Sequence, residues 1–221
     1  MNPADIALQP YATPAAIEAR SFAIIDAEVP EPRPFVGPAW EIVRRMIHTS
    51  ADFELLRLAR LHPDAVAAGV AALSRGASIY TDTEMARAGI PTRRLDPFGA
   101  RVACLLADPA VADLAAQKGS TRAAAAVELA RTKLAGAIVV IGNAPTALLA
   151  LLDILAQPGV EPPALLIAMP VGFVNAAESK ELLMAQAPAP YVTIQGRKGG
   201  SALAASVVNA LAEIALREHR A

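Results

Sequence analysis

The spacing of apolar positions along this chain changes character near Gly76. Before it, apolar residues recur at helical spacing. Pro38–His48, Phe53–Arg60 and Pro63–Arg75 each read as helices, the first with a proline in its opening turn and the last closed by Gly76. After it, short apolar runs alternate with helical stretches. The runs Ala77–Tyr80, Arg101–Leu106, Ala137–Ile141, Ala164–Met169 and Tyr191–Ile194 have the length of buried strands. Asp82–Ala88, Thr121–Leu134, Pro145–Leu155, Asn175–Met184 and Ser201–Arg217 read as helices. Strands that are apolar on both faces, separated by helices, build a largely parallel sheet with helices covering each side. The predicted fold is α/β: a single three-layer α/β/α domain spanning 1–221, with about five strands and a helical N-terminal region. Residues 1–38 read as irregular and proline-bearing, with one or two helical turns around Ala15–Arg20 and a candidate strand at Phe22–Asp26. Pro30, Pro32 and Pro34 mark an extended connection.

One segment invites a membrane reading. Between Lys133 and Asp153 lie nineteen uncharged residues, long enough for a spanning helix. Gly142-Asn143 and Pro145 break it, Ile138–Ile141 is β-branched, and Thr146–Leu155 is rich in Leu and Ala, so the segment reads as strand, loop and helix. The N-terminus lacks a basic region followed by an apolar stretch, so a cytoplasmic location is expected. Apolar residues make up 54% of the chain but aromatics only 4%, which leaves the core to Ala, Leu, Val and Ile. Twenty basic residues against 21 acidic ones give a net charge of −1, which argues against nucleic-acid binding through a broad cationic face. The single Cys104 forms no internal disulfide, and the three histidines and one cysteine are too scattered for a metal site. Nothing requires a cofactor.

The most informative stretch is Pro170-Val-Gly-Phe-Val-Asn-Ala-Ala-Glu-Ser-Lys180. It follows the apolar run Ala164–Met169 through a turn, and Asn175 with Glu178 three residues later has the spacing that opens a helix. A strand leading through a Gly-bearing loop to a helix N-terminus is where open α/β sheets bind ligands. Gly142-Asn-Ala-Pro145 has the same strand-to-helix setting. Neither it nor Gly196-Arg-Lys-Gly-Gly-Ser201 has phosphate-loop spacing, and no G-x-G-x-x-G follows a predicted strand.

The wording of the 170–180 stretch resembles the signature of the precorrin-8X methylmutases of cobalamin biosynthesis. Six further words resemble that family, in its order: Ser21-Phe-Ala-Ile-Ile25, Arg45-Met-Ile-His48, Asp82-Thr-Glu-Met85, Ser120-Thr-Arg-Ala-Ala-Ala125, Gly142-Asn-Ala-Pro-Thr-Ala-Leu148 and Gly196-Arg-Lys-Gly-Gly-Ser201. The words run from Ser21 to Ser201, and the resemblance covers roughly residues 11 to 215. After His48 the chain reads Thr-Ser-Ala-Asp, where the family commonly carries a glycine near Ala51.

Taken from residues alone, His48 is a helix-end histidine with Arg44 and Arg45 one turn behind it. The resemblance gives it more: in this family the histidine closing the Arg-x-x-His word is the proton donor and acceptor of the reaction. That reaction, the resemblance implies, moves a methyl group from C11 to C12 of precorrin-8X to give hydrogenobyrinate, or performs the equivalent step on cobalt-precorrin-8. A methyl shift needs no redox partner. Protonating and deprotonating a ring nitrogen assists it, and an imidazole suits both directions. Any cobalt arrives inside the substrate. Arg45 and Ser21 correspond to family positions that contact substrate, and arginine binds a rim carboxylate with two donors. Thr121 and Arg122 open a predicted helix where another carboxylate can be held, although ordinary capping with an exposed arginine explains them equally well. Arg93-Arg94 and Arg197-Lys198 are weaker candidates for holding a carboxylate, since charge pairs in loops are more often solvated surface. Glu178 and Lys180 can meet substrate, although capping and surface pairing explain them equally well. The resemblance also implies a homodimer with sites near the subunit boundary, and product retention allows hand-off to the next enzyme. Two other classes are kept in view. A tetrapyrrole carrier would use the same crevice without chemistry, and a nucleotide-dependent enzyme would need the phosphate motif that is missing.

Overall fold

A computed structural model describes residues 13–220. They fall into two compact units, one running to Arg33 and the other from Pro34 onward.

In the first unit, helix α1 (Pro14–Glu28) is continuous. Thr13 caps it by accepting from the Ala16 N–H at 3.3 Å, and Pro14 sits in the first turn. The strand expected at Phe22–Asp26 is therefore helix. An apolar run of four residues does not distinguish the two, and here the cap and the Ala-rich start carry the helix through it. Irregular structure is confined, among the described residues before the next helix, to 29–36. Arg33 ties off the helix end, donating from Nε to the Val29 carbonyl at 2.7 Å and from Nη2 to that of Asp26 at 3.0 Å.

The second unit contains α2 (Gly37–Ser50), α3 (Leu55–Leu58), β1 (Ala59–Leu61), α4 (Ala65–Ser74), β2 (Ile79–Thr81), α5 (Glu84–Ala88), β3 (Val102–Cys104), α6 (Ala110–Lys118) and α7 (Arg122–Leu129). It continues with β4 (Ile138–Ile141), α8 (Pro145–Leu155), β5 (Leu165–Ala168), α9 (Ala176–Gln186), β6 (Tyr191–Ile194) and α10 (Ser201–Arg220). The six strands are ordered β1-β6-β5-β4-β2-β3, all parallel except β1, which runs against β6. Val139, Ile141, Leu166 and Ala168 face a core shared with α6–α9. The alternate residues Ile138, Val140, Leu165 and Ile167 are as deeply buried on the other face, where α10 packs on β4 and β5 and α4 packs on β5. A Cβ on Gly69 would lie 2.8 Å from a Leu211 methyl and 3.0 Å from one of Leu165, so glycine lets α4 settle close to α10 and the sheet without moving those leucines. The three-layer, largely parallel architecture is as expected.

Several details differ. Phe53–Arg60 is one helical turn followed by β1, because the bonds His62 N–H to Tyr191 carbonyl (2.9 Å) and Gln195 N–H to Leu58 carbonyl (2.8 Å) draw it onto the sheet edge. This makes the sixth strand. Helix α6 was not predicted, although Asp108 accepts from the Ala110 N–H at 3.0 Å and Gly119 ends the helix at φ 58°. Helix α7 stops at Leu129, and a 3-10 turn takes over at Arg131–Lys133. Among the described residues, no helix is long and apolar enough to cross a membrane.

Candidate active site

Five parallel strands deliver their carboxyl ends to one edge of the sheet. The strand order reverses around β2, which neighbours both β3 and β4. Helix α5 leaves β2 toward α10, whereas α8 leaves β4 toward α7 and α9. Between diverging connections of this kind open α/β sheets form a crevice. Here the protein's own carboxylate fills it. Asp82, 2% exposed, accepts from the N–H groups of Gly142, Asn143 and Ala144, each at 2.9 Å. Burial pushes its carboxyl above the usual range, while the three amides pull the other way. The N-terminal end of α8, where a phosphate would dock in a nucleotide enzyme, is thereby already satisfied.

The remaining connections pack closely on this edge. The Thr83 hydroxyl caps α5 at Ala86 N–H and lies 2.9 Å from the Ser201 hydroxyl at the start of α10. A Cβ on Gly142 would come within 2.7 Å of Ser201 Cα, and one on Gly199 within 2.2 Å of the Met169 carbonyl. These two glycines let the loops after β4, β5 and β6 meet backbone to backbone. The Gly200 N–H donates to Met169 (2.9 Å) and the Gly172 N–H to Arg197 (3.2 Å). Asn175 stands at the N-cap of α9 as expected, but it is left-handed, φ 60°, and makes no side-chain cap bond. Lys180 departs further from expectation. Rather than a surface charge it is fully buried, donating from Nζ to the Lys198 carbonyl at 2.6 Å, and burial lowers its amine to about 8.

Helix α2 brings Arg45 and His48. It runs antiparallel to α10: Glu41 takes both terminal nitrogens of Arg217 at 2.7 Å, and one turn further Arg45 Nη2 reaches Glu213 at 2.5 Å. The other oxygen of Glu213 binds Arg94 at 2.7 Å. Arg45 is buried, so its visible task is to fasten α2 to α10, and Glu213 draws Arg94 to the same place. His48, half-buried, lies in the last turn of α2. The helix ends at Ala51, and Asp52 and Glu54 each meet Lys198 at 2.5 Å. That cluster moors the end of α2 to the loop between β6 and α10. The Lys198 bond holds the Asp52 carboxyl below its ordinary range.

Thr121 and Arg122 lie beside the N-terminal end of α8. The Thr121 hydroxyl accepts from Ala124 N–H at 3.2 Å and donates to the Thr146 hydroxyl at 2.8 Å, leaving Arg122 exposed. Ser21 lies on α1, in the N-terminal unit. Arg45, His48, Thr121 and Arg122 thus sit on helix ends or helices packed around the sheet that the carboxyl-edge loops complete. Sequence reasoning missed Asp82, Glu213 and the burial of Lys180. Asp82 had a readable signal, an acidic residue opening a predicted helix just after a predicted strand, whereas Glu213 looks like any helix-surface glutamate.

Known proteins can be set against this geometry. A family model described as precorrin-8X methylmutase matches residues 16–214. A precorrin-8X methylmutase of Sinorhizobium sp. is 46% identical over 198 residues, covering 89% of this chain and 93% of that protein. A cobalt-precorrin-8 methylmutase of Leptospira interrogans is 41% identical over 202 residues, covering 88% and 91%. The crystal structure of precorrin-8X methylmutase from Thermus thermophilus superposes with a TM-score of 0.85 at 46% identity, covering 92% of this chain and 97% of that one. Sequence and fold agree over nearly the same span, and the chain belongs to the precorrin-8X methylmutase family.

Proposed function

We propose that this chain is an isomerase that moves the methyl group from C11 to C12 of precorrin-8X, or of its cobalt-bearing counterpart, in cobalamin biosynthesis, with His48 as acid and base. The observation that carries this reading is the family match over 16–214, with Arg45-Met-Ile-His48 closing a helix moored to the carboxyl edge of the sheet. In one direction the imidazole gives a proton to a ring nitrogen, which polarises the conjugated system toward migration. In the other it takes the proton back once the methyl has moved, so the protein ends as it began. Ser21, Arg45, Thr121 and Arg122 are the proposed holders of the substrate's rim. Of these, exposed Arg122 has a guanidinium open to a carboxylate, and the capped end of α7 adds its dipole. Arg45 acts from a buried position, with Glu213 fixing its orientation. The reading goes with a cytoplasmic homodimer that hands its product to the following enzyme.

The test is an absorbance time course with precorrin-8X. Moving the methyl turns a tetrahedral carbon into a conjugated one, so turnover extends the chromophore and shifts absorption to longer wavelength. Wild type is expected to show the shift. His48→Ala is expected to lose turnover by at least about a hundredfold while still binding product. A normal rate in His48→Ala removes the acid/base role. Stoichiometric binding without conversion by wild type, on both metal-free and cobalt substrates, replaces the enzyme with a carrier.

A further inference from the structure

An apolar rim stands on the carboxyl edge where proteins ordinarily hide such residues. Among the described residues, three of the four most exposed large apolar side chains are Phe173 (82%), Val174 (78%) and Met85 (71%), and they sit just beyond the ends of β5 and β2. A solvated phenylalanine is not unusual by itself. This one is held out by a braced loop. Gly172 just before it has φ 141°, a conformation reserved for glycine, and donates its N–H to the Arg197 carbonyl at 3.2 Å. Asn175 just after it is left-handed. The facing loop is pinned in turn by Lys180, through the Lys198 carbonyl, and by Gly200, through the Met169 carbonyl. Phe173 is therefore presented by structure and not left over from packing.

Its cationic neighbour points the same way. The Arg197 guanidinium carbon lies 5.5 Å from the Phe173 ring centroid, a cation–π distance. No carboxylate among the described residues pairs with Arg197, whereas the adjacent Lys198 is neutralised by both Asp52 and Glu54. The pair offers a flat apolar face with an unspent planar cation at its margin. A conjugated macrocycle with carboxylates around its rim is complementary to that in both respects: the ring stacks and a rim carboxylate takes the guanidinium.

We propose that Phe173 and Arg197 form a stacking and carboxylate-binding lip that positions the tetrapyrrole at the carboxyl edge of the sheet. The proposal rests on the tetrapyrrole-isomerase reading above. The Asp52–Lys198 contact places the lip beside the end of α2, four residues beyond His48, so one bound macrocycle serves both. Phe173 and Arg197 are positioning residues; the proton moves at His48.

The experiment titrates hydrogenobyrinate into wild type, Phe173→Ala, Phe173→Tyr, Arg197→Gln and His48→Ala, followed by absorbance. Steady-state turnover and light scattering are run on the same preparations. Phe173→Ala is expected to weaken product binding and raise KM by about tenfold, with kcat within a factor of three of wild type. Phe173→Tyr should restore both. Arg197→Gln should weaken binding by about tenfold in a salt-sensitive manner, and His48→Ala should lose kcat and keep affinity. Wild-type affinity and KM in Phe173→Ala, beside an active wild type, overturn the lip and leave the isomerase reading standing. So does a Phe173→Ala protein that changes its state of association while binding product normally, since the rim is then a subunit contact. A wild type that neither binds nor converts overturns the functional reading and the lip with it.

Discussion

Lys180 is a costly side chain to bury. It occupies a site with no exposure, its one hydrogen-bond partner among the described residues is the Lys198 carbonyl, and burial lowers its amine from 10.5 to about 8. A lowered amine means that the folded protein releases this proton more readily than the unfolded chain. Between about 8 and 10.5 the unfolded state binds more protons, so stability from this group rises with pH across that window, and below it the full penalty is present. The shift corresponds to roughly 3 kcal/mol. Lys180→Met removes the titration, so urea denaturation should show the variant losing ground to wild type by about that amount between pH 7 and pH 10.5. A difference that stays flat with pH would mean that burial does not perturb this amine. Ala51 is a smaller local strain. It ends α2 at φ 53°, the left-handed region that disfavours a Cβ. Ala51→Gly should stabilise the protein by about 1 kcal/mol, read as a higher denaturation midpoint with an unchanged slope.

Asp82 governs the elements around it. One carboxylate holds three successive amides and thereby sets how α8 leaves β4. Asp82→Ala strands the buried Gly142 N–H and weakens the other two bonds, so a loss of about 2–3 kcal/mol is expected. Activity should fall as well, because Gly142 lies against Ser201 and its displacement disturbs the start of α10. Full stability in that variant would mean that water replaces the carboxylate without loss. How well elements could be read from sequence depended on length. β4, β5 and β6 announce themselves as apolar runs, and the expected bounds of α8 coincide with those found. β1 is three residues long and follows the Leu-rich turn Leu55–Leu58. Its strand state comes from pairing with β6, which no local pattern encodes.

For the whole molecule, the proposed assembly gives the clearest expectation. Light scattering at working concentration should report twice the 22.9 kDa chain mass if the family-implied homodimer holds; a single-chain mass removes it. The electrostatic layout explains why a net charge of −1 is compatible with an anionic substrate. Most cations around the edge are spent on the protein's own carboxylates: Lys198 on Asp52 and Glu54, and Arg94 with Arg45 on Glu213. Recognition then falls to a few arginines, Arg122 and Arg197 beside the Glu213-oriented Arg45, and paired donors at chosen points serve a ring of carboxylates better than a broad positive field.

The amino-acid sequence alone determined the layers, the parallel sheet and the family, because apolar runs, helix spacing and the ordered words from Ser21 to Ser201 are local or linear properties. It also marked Arg45 and His48, through the likeness of the Arg45-Met-Ile-His48 word to the family's, which is a linear property. Burial of Lys180, the three amides on Asp82, the sharing of Glu213 by two arginines and the conversion of 59–61 into an edge strand belong to the tertiary structure. Each joins segments far apart in the chain, and partners across that distance are chosen by packing and desolvation, which act only once the chain has folded.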